Sequence, residues 1–187
     1  MAAEQIAVED AAPPRLSGRR ERRLVRAAQE GSADALAELY SAHWRRAHRA
    51  AYLVVHDAAA AEDVAQDAFL AAVGALDRFD RRRPFAPWLH RIVVNRALDW
   101  ARREALRRRV DPEDAEPAAS HQPELGDELM AALRELPPEQ RAVVVLRHLL
   151  EYTPGEIAAM LELPRGTVNS RLRRALDRLR ETVEVER

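Results

Sequence analysis

The chain has no cysteine in its 187 residues, which excludes disulfides, thiolate catalysis and cysteine-ligated zinc or iron-sulfur sites. It has no lysine either, so all 30 of its positive side chains are arginine. Only six glycines occur, and no segment alternates apolar and polar residues as a half-buried strand would. No run approaches the ~20 apolar residues of a bilayer span, so membrane insertion is not expected. Glu4, Glu9 and Asp10 break the basic-then-apolar layout of a signal peptide, and a cytoplasmic location is expected. What is present is 47% hydrophobic and 33% charged, too apolar for a disordered chain and too interrupted by charge for a membrane protein. Ala, Leu, Glu and Arg dominate, all good helix formers, so the expected class is all-α.

Net charge is only −1, but its distribution is uneven. Arg81 to Arg109 holds ten arginines against Asp99 and Glu104, a balance of +8. Asp111 to Glu128 holds seven acids and no base, and Arg165 to Arg180 holds six arginines against Asp177, or +5. An arginine-for-lysine bias inherited from a GC-rich genome accounts for the residue choice but not for this clustering. Two basic blocks around an acidic one suggest two anion-binding surfaces, because the guanidinium fork suits phosphates and base edges.

Residues 1–20, with Ala11-Ala12-Pro13-Pro14 and Ser17-Gly18, read as a mobile leader. Helix is predicted from near Glu21, breaking at Gly31-Ser32, where Ser32 can cap a helix from Ala33 to about Val55. His56-Asp57 is a junction. Further helices are predicted from about Ala59 to Leu76 and, after a loop from Arg81, from Pro87 to about Arg107. Residues 110–123 are acidic, contain Pro112, Pro117 and Pro123, and lack periodicity, which marks a linker. Two small helical domains follow, residues 21–109 and 124–187. The second is predicted to hold helices at about Leu125 to Leu136, Pro138 to Leu149, Pro154 to Leu161 and Gly166 to Val183.

At about 100° per residue, Ala61, Val64, Ala65, Ala68, Ala72 and Leu76 share one helix face, opposite Asp63, Asp67, Leu70 and Gly74. An acidic row is ordinarily solvated, but an exposed leucine within it suggests a partner-binding face. His56, Asp57, Glu62, Asp63 and Asp67 also match the ligand types of a metal-dependent phosphohydrolase. That match is weak, because such a site needs further histidines to converge and His43 and His48 lie well off one another's helical face. On the next helix Trp88, Leu89, Ile92, Val93, Ala97 and Trp100 form the core stripe. Arg91, Asn95, Leu98 and Arg102 line another face, either solvated or able to meet phosphates and a base edge. The Arg81-Arg82-Arg83-Pro84-Phe85 loop combines charge and an aromatic, as single-stranded nucleic-acid sites do, while Phe85 is equally a candidate core anchor.

Glu156-Ile157-Ala158-Ala159-Met160-Leu161, a turn from Glu162 to Gly166, and Thr167-Val168-Asn169-Ser170-Arg171 read as a helix-turn-helix. Val168, Leu172, Ala175, Leu176 and Leu179 fall on its inner side. Thr167, Ser170, Arg173, Arg174 and Asp177 fall across from them. The alternative is a plain αα-hairpin with solvated arginines.

In order, these segments resemble a bacterial sigma factor of the extracytoplasmic-function (ECF) group, the minimal two-domain members of the primary sigma family. The resemblance spans about Leu24 to Arg180. It rests on Ala61-Glu62-Asp63-Val64-Ala65-Gln66-Asp67-Ala68-Phe69, on Phe79 with the block from Trp88 to Arg103, and on Leu136-Pro137-Pro138-Glu139-Gln140-Arg141 continuing through Tyr152 to Leu172. The resemblance implies a transcription-initiation factor, not an enzyme, with no cofactor or metal. Its implied partners are core RNA polymerase (the β′ coiled coil and the β subunit), promoter DNA and an anti-sigma factor. By matching position, Asp63, Gln66, Asp67 and Leu70 would bind the β′ coiled coil. Arg81, Arg82, Arg83, Phe85, Arg91, Asn95 and Arg102 would serve the minus-ten element. Arg165, Thr167, Ser170, Arg171, Arg173 and Arg174 would serve the minus-thirty-five element. Glu162 stands where the turn usually has glycine, Asn169 where lysine is common, and Arg81-Arg82-Arg83-Pro84 where small polar residues are customary. No further C-terminal domain is expected. A repressor or response-regulator effector shares the helix-turn-helix but leaves the Asp63, Gln66, Asp67 face without a role.

Overall fold

The structure is a computed structural model that describes residues 16–110 and 127–185. Every regular element among the described residues is helical. Residues 1–15 of the expected leader and residues 111–126, which include all but the first residue of the expected linker 110–123, lie outside them.

The first helix, α1 (Gly18–Gln29), starts ahead of the expected Glu21 because Ser17 caps it, its hydroxyl accepting from the Arg20 amide at 3.4 Å. Gly31 makes the following turn at φ 93°, open to glycine at no steric cost. Ser32 then caps α2 (Ala33–Val55), accepting from the Ala35 amide at 3.2 Å. His56 ends α2 in the left-handed region, and the Asp57 carboxylate caps α3 (Ala58–Ala75) through the Ala60 amide at 2.8 Å. A 3₁₀ turn, Leu76–Arg78, leads into the arginine loop. Next comes α4 (Phe85–Val110), which begins two residues before the expected Pro87. The buried Glu21 carboxylate accepts from the Phe85 amide at 3.2 Å and so anchors the start of α4 to α1.

Helices α2, α3 and α4 pack on one another around Leu39, Tyr52, Leu89 and Val93. All four are essentially inaccessible, so truncating one of them, such as Leu89→Ala, costs about 2–5 kcal/mol. The expected α3 core residues Ala61, Val64, Ala65, Ala68, Ala72 and Leu76 are all buried.

The second group contains α5 (Asp127–Glu135), α6 (Pro138–Val144), α7 (Pro154–Leu161) and α8 (Arg165–Val185). Where one helix was expected from Pro138 to Leu149, α6 gives way to a π turn, Val145–Leu149, closed by the Leu150 amide donating to the Val145 carbonyl at 3.1 Å. Thr153 and Glu156 form a reciprocal capping box that fixes the start of α7.

The two groups are packed together. Helix α6 lies against α2 and α4, the π turn against α2, and α7 against α4, so the buried residues of both groups join in one cluster. Among the described residues no helix is long and apolar enough to cross a membrane.

Candidate functional site

Helix α3 presents Asp63, Gln66, Asp67 and Leu70 to solvent along one row, a consequence of burying its alanine face against α2 and α4. Leu70 is 70% exposed, unusual for a leucine flanked by acids. Gln66 donates to Glu62 at 3.1 Å, and Asp67 lies 3.6 Å from the Arg96 guanidinium. Beside the row runs an apolar groove of about 530 Å³ between α2 and α3, lined by Leu36, Tyr40, Phe69, Leu70 and Val73. An acidic rim on an apolar groove suits a partner with apolar side chains and a basic margin.

The arginine loop places Arg81, Arg82 and Arg83 at the surface. Arg82 is engaged within the loop, its Nε donating to Asp80 at 3.0 Å and its Nη2 at 3.0 Å. These hydrogen bonds hold the Asp80 carboxyl below its ordinary pKa and raise that of Arg82. Phe85 stands apart from the other residues assigned to this surface. It is 4% exposed and packed against the rings of His43, Phe79 and Trp88. Of the two readings of Phe85 the structure shows the core anchor.

Along α4, Arg91, Asn95 and Arg102 do share a face, but Leu98, the fourth residue assigned to it, is buried. Arg91 pairs with Glu162, and Arg102 donates to Glu139 at 3.2 Å. Burial raises the Glu139 carboxyl, but its backbone hydrogen bond, Arg102 and Arg171 outweigh this and leave its pKa lowered.

At the helix-turn-helix, α7 ends at Glu162 with φ 55° and ψ 42°, the left-handed conformation that glycine adopts most easily. Arg165, Asn169, Arg173 and Arg174 are exposed on α8, with Thr167, Ser170 and Arg171 half-buried beside them. Val168, Leu172 and Ala175 are buried, so the apolar side of α8 is the one expected. The N-terminal turns of α8 therefore offer a basic, polar surface suited to phosphate oxygens and base edges.

Comparison with known proteins places both halves. Residues 39–107 match the sigma-70 region 2 model and residues 126–179 the sigma-70 region 4 model. Over 167 residues, the chain is 38% identical to the ECF RNA polymerase sigma factor SigM of Mycobacterium tuberculosis, covering 87% of this chain and 85% of that one. The chain belongs to the ECF RNA polymerase sigma factors. This sigma factor is also 28% identical to SigW of Bacillus subtilis, across 84% of this chain and 93% of SigW. The solved structure of CnrH in complex with the cytosolic domain of CnrY matches with a TM-score of 0.68 and 29% identity, covering 90% of this chain and 99% of that one. The sigma factor RpoE, solved with the anti-sigma factor NepR from Bartonella quintana, shares the fold with a TM-score of 0.69, at 23% identity and with 80% and 97% of the two chains covered. As a sigma factor the protein is a non-enzymatic transcription-initiation factor that recognises promoters.

Two buried histidines lie where the halves meet. His90 is 3% exposed, its Nδ1 2.7 Å from the Tyr152 hydroxyl. Burial, then the nearby His43 and Arg46, lower the His90 pKa to about 3. Burial also raises the pKa of Tyr152, so a protonated phenol faces a neutral imidazole across this hydrogen bond. His56, weighed above as a metal ligand, instead faces Arg141 and Arg134, and burial followed by those two cations lowers its pKa to about 3. No group of three or more His, Asp or Glu side chains among the described residues converges as a metal site would require.

Proposed function

We propose that this sigma factor binds core RNA polymerase through the α3 row of Asp63, Gln66, Asp67 and Leu70, with the β′ coiled coil as the partner. The β subunit is a second contact. Minus-ten recognition and strand opening fall to Arg81, Arg82, Arg83, Arg91, Asn95 and Arg102. Phe85 supports the loop from beneath, because a base extruded from the duplex needs an accessible surface to replace its lost stacking. The minus-thirty-five element is read by Arg165, Thr167, Ser170, Arg171, Arg173 and Arg174. Residues 21–109 and 124–187 act as the two promoter-binding domains, with residues 1–20 as leader and 110–123 as linker. The protein works in the cytoplasm as a two-domain member of the primary sigma family. An anti-sigma factor is its regulatory partner; CnrH, a relative, is itself solved with a second protein, the cytosolic domain of CnrY.

The observation that carries the assignment is Leu70, 70% exposed within an acidic row and beside an apolar groove. The test is co-purification of tagged Asp63→Arg/Asp67→Arg protein with core polymerase. Holoenzyme formation should fall sharply while the helical circular-dichroism signal is kept, because both carboxylates are exposed. Undiminished holoenzyme would remove this face from the assignment.

A further inference from the structure

We propose that the cavity walled by α1, α2 and α4 is a binding site for the diphosphate group of a small anion, with Arg45, Arg46, Arg49 and His90 as the residues that hold it. The site uses neither the α3 row nor the residues assigned to promoter DNA, so it stands apart from those assignments. Its volume is about 400 Å³, within the range of small-molecule pockets.

Arg45, Arg46 and Arg49 lie outside both basic blocks of the sequence. Their spacing gathers them on one side of α2, and all three line the cavity, half-buried. Like charges so spaced on a helix repel, and partial burial weakens the screening that would soften the repulsion. An anion placed among them turns that repulsion into attraction. Glu21 is the only acid among the described residues that line the cavity, and both of its oxygens are engaged. Its Oε1 lies 3.1 Å from Nε2 of His43, and its Oε2 accepts from the Phe85 amide at 3.2 Å. Arg46 reaches the Leu149 carbonyl at 3.5 Å and Glu151 at 3.9 Å, long contacts for a group with five donors.

His90 supplies the second, independent observation. It is 3% exposed, its Nδ1 is 2.7 Å from the Tyr152 hydroxyl, and its buried Nε2 has no hydrogen-bond partner among the described residues. His90 lines the cavity and Tyr152 does not, so the ring turns its unpartnered end towards the arginines. A buried polar atom without a partner costs free energy, and a phosphoryl oxygen is the acceptor that an Nε2–H requires. Binding selects the tautomer in which Tyr152 donates to Nδ1 and Nε2 carries the proton. Burial and then the neighbouring His43 and Arg46 lower the pKa of His90, so the ring already sits in a positive field. Several guanidinium forks, each able to grip two oxygens, match the oxygen-rich diphosphate better than a lone carboxylate. A DNA backbone is a poorer match, because it stays at the surface while His90 lies beneath it.

Calorimetric titration of sodium pyrophosphate into the full chain, in chloride buffer of matched ionic strength, tests the site. One pyrophosphate should bind per chain. Arg45→Gln/Arg49→Gln should weaken binding by about tenfold or more, the worth of one charge-assisted hydrogen bond. Arg22→Gln/Arg23→Gln removes the same charge from exposed positions of α1 and, with screening by salt, should change binding by less than about twofold. In the unaltered chain the Nε2 nitrogen resonance of His90 should shift on binding, a readout that needs no variant to fold. ADP binding more tightly than pyrophosphate identifies the group as a nucleotide's, and weaker binding identifies it as the free diphosphate; both uphold the site. Absence of saturable binding, equal weakening by the control pair, or a His90 resonance that stays still would each overturn the proposal. So would a loss of single-stranded DNA binding in Arg45→Gln/Arg49→Gln as large as its loss of pyrophosphate binding, since the cavity would then be a DNA contact.

Discussion

Acidification should destabilise this sigma factor well before its carboxylates titrate. His56 and His90 have pKa values lowered from 6.5 to about 3 by burial and neighbouring cations. The native state therefore binds fewer protons than the unfolded state between these values. Stability contributed by keeping both rings neutral is complete above pH 6.5 and is lost as pH falls below it. At about pH 5.5 an ordinary histidine is some ten parts protonated to one neutral, which costs the native state about 1.4 kcal/mol per ring, or about 3 kcal/mol for the pair. Because 5.5 lies far above either native pKa, the figure hardly depends on their exact positions. His48, lowered by burial against an opposing effect of Glu62, adds in the same direction. Glu139, Glu156 and Asp80 also have lowered pKa values, but their contributions are lost only at more acid pH.

The groups around each ring fix the sign. His90 meets Glu21 from α1, His43 and Arg46 from α2, and the protonated Tyr152 from the second domain. Glu21, which lines the same cavity, lies 3.1 Å from His43. His56 shares its cavity with Asp57, Glu104 from α4, Arg134 and Glu135 from α5, and Arg141 from α6, and the two arginines act on it most. Urea unfolding at pH 7.5, 6.5 and 5.5 should show stability falling at about 2.5 kcal/mol per pH unit at the acid end, the slope set by nearly two protons, and His90→Asn should remove about half of it. Stability unchanged over this range, or the His56 and His90 imidazole resonances of the native protein titrating near 6.5, would refute the reasoning.

Glu162→Gly relieves the left-handed backbone while Glu162→Ala does not, so the glycine variant should be the more stable of the two by about 1 kcal/mol in thermal unfolding, although both lose the Arg91 contact. Arg173→Ala or Arg174→Ala should weaken upstream-element binding by holoenzyme by about 1–3 kcal/mol at one base position if the contact is bidentate to guanine, and evenly across sequences if it is to phosphate; a footprint unaffected by either would leave α8 without a DNA role. Asn95→Ala should impair opening of duplex promoters and be largely rescued on pre-melted templates, whereas equal defects on both would assign Asn95 to general binding.

Much of the α3 site is legible in sequence because it follows from one helix alone. Ala61, Val64, Ala65, Ala68, Ala72 and Leu76 repeat at helical spacing, and their burial leaves Asp63, Asp67 and Leu70 outside. The caps at Ser32 and Thr153 are equally local, each set by an oxygen three residues ahead of the amide it accepts from. Phe85 is less so: three cations before it suit a stacking site, yet its ring has three aromatic neighbours and its amide is held by Glu21, 64 residues away.

Leu70 and Leu98 show where the local argument stops. Each is a single leucine assigned to a charged helix face, and periodicity treats them alike. Leu70 is 70% exposed and Leu98 5%. Helices α6 and α7 of the other domain lie against α4, covering part of it, and its Arg91 and Arg102 pair with Glu162 and Glu139. The contact between domains includes a π turn against α2 where an unbroken α6 was expected, and a glutamate in a left-handed backbone position whose carboxylate pairs with Arg91. Neither changes the apolar spacing of its own helix, so a 3.6-residue repeat carries no trace of them. The surfaces for separate partners can be read one helix at a time, but the contact between domains emerges only when all the helices are in place.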